Sequence, residues 1–144
     1  MFSLHVRDVL DRAKLLTAPP GMSVFDAAVL MQAHGSGAVL VIDSERLVGI
    51  LTERDVVFRV VARDLDSHST SVLEVMTPSP MTVEPDRTFG HALMQMHKNG
   101  FRHLPVMQDG RVLGLVSARN ALDPDLEEFV AETARREQFG REDR

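Results

Sequence analysis

Residues 17–57 and 82–122 align without a gap at a displacement of 65, Thr17 falling on Thr82. Nine of 41 positions are identical: Thr17/Thr82, Pro20/Pro85, Ala27/Ala92, Met31/Met96, Gly35/Gly100, Val41/Val106, Arg46/Arg111, Gly49/Gly114 and Arg54/Arg119. Unrelated stretches of ordinary composition would share about two or three. Other pairs exchange like for like, such as Ser23/Thr88, Leu47/Val112, Ile50/Leu115 and Thr52/Ser117. Upstream, Val6-Arg7-Asp8-Val9 matches Val72-Leu73-Glu74-Val75 at a displacement of 66, so the short segment between carries one more residue in the first copy than in the second. A chain written twice must fold the same way twice and bury one copy against the other.

Each copy carries the same signals. Ser23 and Thr88 are N-cap residues, followed by apolar stripes at helical spacing (Val24, Ala27, Ala28, Met31; Phe89, Ala92, Leu93, Met96) that stop at Gly35 and Gly100. Strands are expected over Ala38–Ile42 and His103–Met107, then turns over Asp43–Arg46 and Gln108–Arg111. Second strands follow over Leu47–Leu51 and Val112–Val116, and Thr52 and Ser117 then cap further helices. With an extended segment at Thr17 or Thr82, the order predicts an α/β fold of the α+β type, two small units packed around a shared core. The domain reading is repeat 1 over 1–62, a connector over 63–71 with the polar run Asp66–Ser71, repeat 2 over 72–122, and a C-terminal helix and tail over 123–144. Asp123-Pro124 starts that helix, and Leu126, Phe129, Val130, Thr133 and Ala134 give it an apolar stripe for its own domain or a second subunit.

Composition narrows the function. At 144 residues, 44% hydrophobic and 26% charged, the chain is long enough to build a core. Sixteen Lys and Arg against 21 Asp and Glu give a net charge of −5, which disfavours nucleic acid as a partner. There is no Cys, so disulfides, thiolate nucleophiles and Cys-based metal sites are excluded. The N-terminus has no signal-peptide pattern and the apolar runs are short, so a cytoplasmic location without a membrane is expected. His91, His97 and His103 recur every six residues, a spacing that puts the first two on different helix faces, so no metal site is expected. Gly35-Ser36-Gly37 follows a helix and not a strand, which removes a hydrolase elbow. No base, nucleophile or metal cluster converges, and no catalytic residue is assigned.

One constellation could carry a ligand. Gly49-Ile50-Leu51-Thr52-Glu53-Arg54-Asp55 and Gly114-Leu115-Val116-Ser117-Ala118-Arg119-Asn120 each run from a strand through a hydroxyl residue into a helix. A helix start offers unpaired N–H groups to a phosphate, and Arg54 and Arg119 add a cation. The same spacing is also that of a plain helix cap, which spacing alone favours. Its recurrence at the end of both copies, beside Gly49 and Gly114 where a missing side chain lets a ligand approach, argues for a site.

Repeats of this length, with Met76-Thr77-Pro78, Arg102-His103-Leu104-Pro105-Val106 and the Gly…Thr/Ser-x-x-Asp ending, resemble a pair of CBS (cystathionine-β-synthase) domains over residues 4–122. The resemblance implies two βαββα units related by a pseudo-twofold, with a cleft on each side that takes an adenosyl ligand: AMP, ADP, ATP, NAD or S-adenosylmethionine. In the main cleft, Thr52 and Arg54 would face the phosphate and Asp55 the ribose hydroxyls, a two-acceptor clamp for a diol. Pro80, Met81, Thr82 and Pro105 would come from repeat 2 to line the adenine pocket, and Arg102 and His103 would point toward the phosphates. With no Tyr or Trp in the chain, aliphatic and Met side chains would sandwich the adenine. The second cleft would draw on Thr17, Ala18, Gly37, Ala38, Ser117, Arg119 and Asn120. There Asn120 replaces the acid and Gly37-Ala38 replace Arg102-His103, which implies a site that is weakened, differently selective or empty. Two functions follow as expectations: a non-catalytic nucleotide sensor that signals to a partner protein, or a ligand-free dimerisation or scaffolding module in which Thr52 and Asp55 form only a cap. Related modules pair, so a homodimer is expected.

Overall fold

The Ser23 hydroxyl accepts from the Asp26 N–H and the Thr88 hydroxyl from the His91 N–H, each at 3.1 Å, so both long helices start where the duplicated caps place them. The computed structural model describes residues 4–10 and 15–119; the expected C-terminal helix and Asn120 lie outside them. Within the described residues the order is α1 (Val6–Val9), β1 (Thr17–Ala18), α2 (Val24–His34), β2 (Ala38–Asp43), β3 (Arg46–Thr52), α3 (Glu53–Val56), α4 (Val72–Val75), β4 (Thr77–Pro78), α5 (Phe89–Asn99), β5 (His103–Gln108) and β6 (Arg111–Ser117). A π-helical turn over Val57–Val61 continues α3. Helices α2 and α5 end on Gly35 and Gly100 at φ 60° and 73°, the left-handed conformation glycine adopts without a Cβ clash.

The hairpins β2–β3 and β5–β6 are antiparallel and share one register, with a bulge at Val41/Ile42 in one and at Val106/Met107 in the other. The turns are tighter than the four residues expected. Asp43 pairs with Arg46 and Gln108 with Arg111, leaving Ser44-Glu45 and Asp109-Gly110 as two-residue connections. β1 lies parallel to β2, Leu40 N–H donating to the Leu16 carbonyl at 2.8 Å. Repeat 2 retains the single bridge Val83–Val106, because Pro105 stands where Leu40 does and has no N–H to give.

The repeats exchange their leading segments. Val6 N–H donates to the Arg87 carbonyl at 2.8 Å, and Val72 N–H donates to the Met22 carbonyl at 2.8 Å. Thus α1, at the start of repeat 1, packs on repeat 2, and α4, at the start of repeat 2, packs on repeat 1. The buried clusters follow the exchange: Val72, Val75 and Met76 join Val24, Val39 and Leu51, whereas Val6 joins Phe89, Leu104 and Val116. Strand β4 extends the sheet of repeat 1 to the order β1-β2-β3-β4. A third, smaller cluster of Ala38, Leu40, Ile50 and Leu115 lies between the repeats. Among the described residues the repeats thus have a cluster each, and the shared core expected from the sequence is this smaller third one.

Gly49 and Gly114 serve this exchange. A Cβ on Gly49 would lie 2.2 Å from Met76 Sδ, and one on Gly114 would lie 2.6 Å from Leu10 Cδ1. The expectation that these glycines make room for a ligand is corrected: each makes room for a side chain of the exchanged segment.

Candidate functional site

Strand β3 delivers Thr52 to the start of α3, where a reciprocal capping box closes. Thr52 N–H donates to Asp55 Oδ2 at 2.9 Å and Asp55 N–H donates to Thr52 Oγ1 at 3.2 Å. Asp55 is buried. Its second oxygen, Oδ1, is held more loosely, by the Thr77 hydroxyl at 3.4 Å and the Arg59 Nε at 3.8 Å. Arg59 is anchored in turn, its Nη1 donating to the carbonyls of Val75 and Met76 at 3.2 and 3.0 Å, the open C-terminal end of α4.

Above this cap, a cavity of about 510 Å³ opens between the two repeats, within the range of small-molecule sites. Repeat 1 supplies Ile50, Thr52, Glu53, Arg54, Asp55, Val57 and Phe58; the β4 segment and repeat 2 supply Thr77, Pro80, Met81 and the run Gly100–His103. The structure therefore gathers seven of the nine residues assigned to the main cleft: Thr52, Arg54, Asp55, Pro80, Met81, Arg102 and His103. Thr82 and Pro105 are not among the lining residues. Met81 meets the cavity, whereas Thr82 is exposed beside Val83, which bridges to Val106 of β5. Pro105 is buried in β5, where its carbonyl accepts from Val83 N–H at 3.0 Å.

Sequence reasoning missed Phe58 and Phe101. An aromatic face is present after all, so the expectation of a purely aliphatic and Met sandwich is corrected. Phe58 stands four residues beyond Arg54, one helical turn, which is the signal that could have found it. The Arg54 guanidinium lies over the Phe58 ring at 5.6 Å and donates from Nη1 to the Gly100 carbonyl at 3.0 Å.

His103 crosses toward repeat 1. A Cβ on Gly37 would meet His103 Nε2 at 3.3 Å and Glu53 Oε1 at 3.1 Å, so Gly37 leaves the space that these two side chains fill. Burial holds the His103 imidazole below its ordinary pKa of 6.5; Glu53 opposes that shift, and Arg102 and Arg119 add to it. At pH 7 the ring is neutral and offers a hydrogen bond, not a charge.

On the other side a recess of about 460 Å³ is lined by α2, the Gly35–Gly37 loop, Glu53, Val56, Val57 and Arg119. Of the second-cleft residues it includes Gly37 and Arg119. Thr17 is exposed, whereas Ala18 and Ala38 are buried in core clusters. Ser117 closes β6, and Asn120 lies outside the described residues. Among the described residues no cluster of three His, Asp or Glu side chains gathers around a point, and no helix is long and apolar enough to cross a membrane.

Two α+β repeats that exchange their leading segments and enclose a cavity between them define the class as a tandem-repeat pair. Within it, this chain belongs to the CBS-domain family, whose profile matches residues 6–62 and 72–125. CBS domain-containing protein CBSCBSPB3 of Arabidopsis thaliana is 41% identical over 111 residues, 76% of this chain and 20% of that protein. The chain thus spans about one fifth of the length of that relative. A CBS-domain containing protein from Agrobacterium tumefaciens is 32% identical, with a TM-score of 0.75 over 85% of this chain and 95% of that one. A CBS domain protein from Pyrobaculum aerophilum, solved in complex with AMP, shares the fold at 21% identity, with a TM-score of 0.75 over 90% of this chain and 99% of that one.

Proposed function

We propose that the chain is a non-catalytic regulatory module that binds an adenine nucleotide in the cavity between its repeats and passes the binding to a partner protein by a change of conformation. The observation that carries this reading is the meeting, in one cavity, of Thr52, Arg54 and Asp55 from one repeat with Met81, Arg102 and His103 from the other. The helix start and the cations suit a phosphate, and the Met81 and Phe101 surfaces suit a purine, away from the Phe58 ring beneath Arg54. Asp55 Oδ1 is the acceptor left for a ribose diol, since Oδ2 is committed to the cap. The AMP bound to the Pyrobaculum protein makes AMP the first ligand to try. In the second cleft, Gly37 stands where the main cleft has Arg102, which leaves Arg119 as the cation beside the Glu53 carboxylate and makes that side the weaker candidate for a phosphate. The division into repeats over 1–62 and 72–122, joined by the connector 63–71 and followed by the tail 123–144, and a cytoplasmic homodimer as the working state belong to the same proposal.

The test is calorimetric titration with AMP, ADP, ATP and NAD, alongside thermal melts. A ligand at a hundred times its dissociation constant stabilises by about 2.7 kcal/mol, a rise of roughly 5–11 °C for a chain of this size. Arg102→Ala or Asp55→Ala should weaken binding at least tenfold, one lost charge-assisted hydrogen bond being worth about 1.5–3 kcal/mol. Asn120→Ala should change it little. A second reading, the ligand-free scaffold, is favoured by one observation: the Thr52–Asp55 box is complete within the chain itself. Melts that no nucleotide shifts would establish that reading instead.

A further inference from the structure

Arg54 joins the two repeats across the rim of the cavity. Its helix belongs to repeat 1, and its acceptor, the Gly100 carbonyl, belongs to the junction where α5 ends and the run Phe101-Arg102-His103 begins. Beneath the guanidinium lies Phe58, carried there by the π-helical turn. All three residues line the cavity. The partners are of unequal strength: a neutral carbonyl holds one N–H, whereas a phosphate can take two from the guanidinium fork through charge-assisted bonds roughly twice as strong. Arg54 is exposed, so the exchange strips no buried charge of its only partner.

The arrangement is peculiar to one side of the pseudo-twofold. Arg119 and Gly35 stand where Arg54 and Gly100 do, yet no bond joins them among the described residues, and in the sequence the position of Phe58 is taken by Asp123, which is no aromatic. The duplication therefore accounts for an arginine at this position in both repeats but not for the strap.

Resting on the reading of the cavity as a nucleotide site, we propose that Arg54 is a displaceable strap: the phosphate of the ligand takes it from the Gly100 carbonyl, and this release reports a phosphorylated ligand to repeat 2. A nucleoside without phosphate enters the same cavity and leaves the strap closed. The release unties the junction that carries Arg102 and His103 and uncovers the Phe58 ring, next to the exposed Val57 and Val61.

The chain holds no Trp or Tyr, so Phe58→Trp places a sole indole reporter under Arg54. Titrated with AMP and with adenosine, each to calorimetric saturation, Phe58→Trp should change its emission with AMP and not with adenosine. In the wild-type background, Arg54→Gln should weaken AMP at least tenfold and leave adenosine within about twofold. Equal emission changes for both ligands, or equal losses of affinity, would overturn the strap while leaving the nucleotide site standing. If neither compound nor ATP gives heat with the wild type, the nucleotide reading and the strap fall together. Should Phe58→Trp fold poorly, hydrogen exchange on wild type and Arg54→Gln decides. The Gly100 and Phe101 amides, which close the α5 cap, should exchange at least threefold faster in the variant without nucleotide; unchanged rates count against the strap.

Discussion

Gly49 and Met76 are one joint, built from a residue of repeat 1 and the segment that leads into repeat 2. Gly49→Ala would push a methyl group into Met76, and overpacking of this kind costs about 1–3 kcal/mol. Met76→Ala should lose stability on its own, but the double variant should be more stable than the sum of the two losses implies, since each change makes room for the other. Urea unfolding of the four proteins measures the coupling, and strict additivity would contradict the joint. His103 gives a pH signature at the same scale. Its folded-state pKa lies below the ordinary 6.5, so as pH falls through that value the unfolded chain takes up a proton that the folded chain refuses. The stability tied to the neutral ring is present above about pH 6.5 and is lost on acidification toward the lowered pKa. Unfolding of wild type and His103→Gln at pH 7.5 and 5.5 should show the larger loss in the wild type.

The hairpins show what an element inherits from its local sequence. Asp109-Gly110 places the residues best suited to a two-residue turn at φ 53° and 77°. The first copy forces Ser44-Glu45 into the same turn at φ 50° and 68°. Relieving that crowding by Glu45→Gly should stabilise by about 0.5–1 kcal/mol, after the greater freedom of glycine in the unfolded chain is offset, and a thermal melt should rise by roughly 1–4 °C. Such features were legible because they are local: Ser23 and Thr88 mark the helix starts, Gly35 and Gly100 the ends, and the displacement of 65 carries each to its counterpart. The destination of α1 and α4 was not legible. Val6 and Val72 read as apolar residues of a short helix whichever repeat they pack on, and a displacement in sequence does not say which copy receives which segment. The cavity was legible where motif residues form it, as at Thr52, Asp55 and Arg102. It was overlooked at Phe58, one turn beyond Arg54, because that position lies past the end of the motif.

At the scale of the molecule, Val57, Phe58 and Val61 are more than half exposed at the end of α3, and Phe25 and Val29 are partly exposed on α2. Large apolar side chains gathered in this way are suited to a second copy of the chain. We expect light scattering at micromolar concentration to give the mass of a dimer, and Val61→Asp, which keeps the cavity residues unchanged, to shift it toward the monomer. The exchanged leading segments also bear on how such a molecule can arise. A chain with only one repeat would carry an arm that finds no seat on its own body, and a groove that its own arm does not fill. Two such chains would satisfy each other by trading arms, as the two repeats of this chain do.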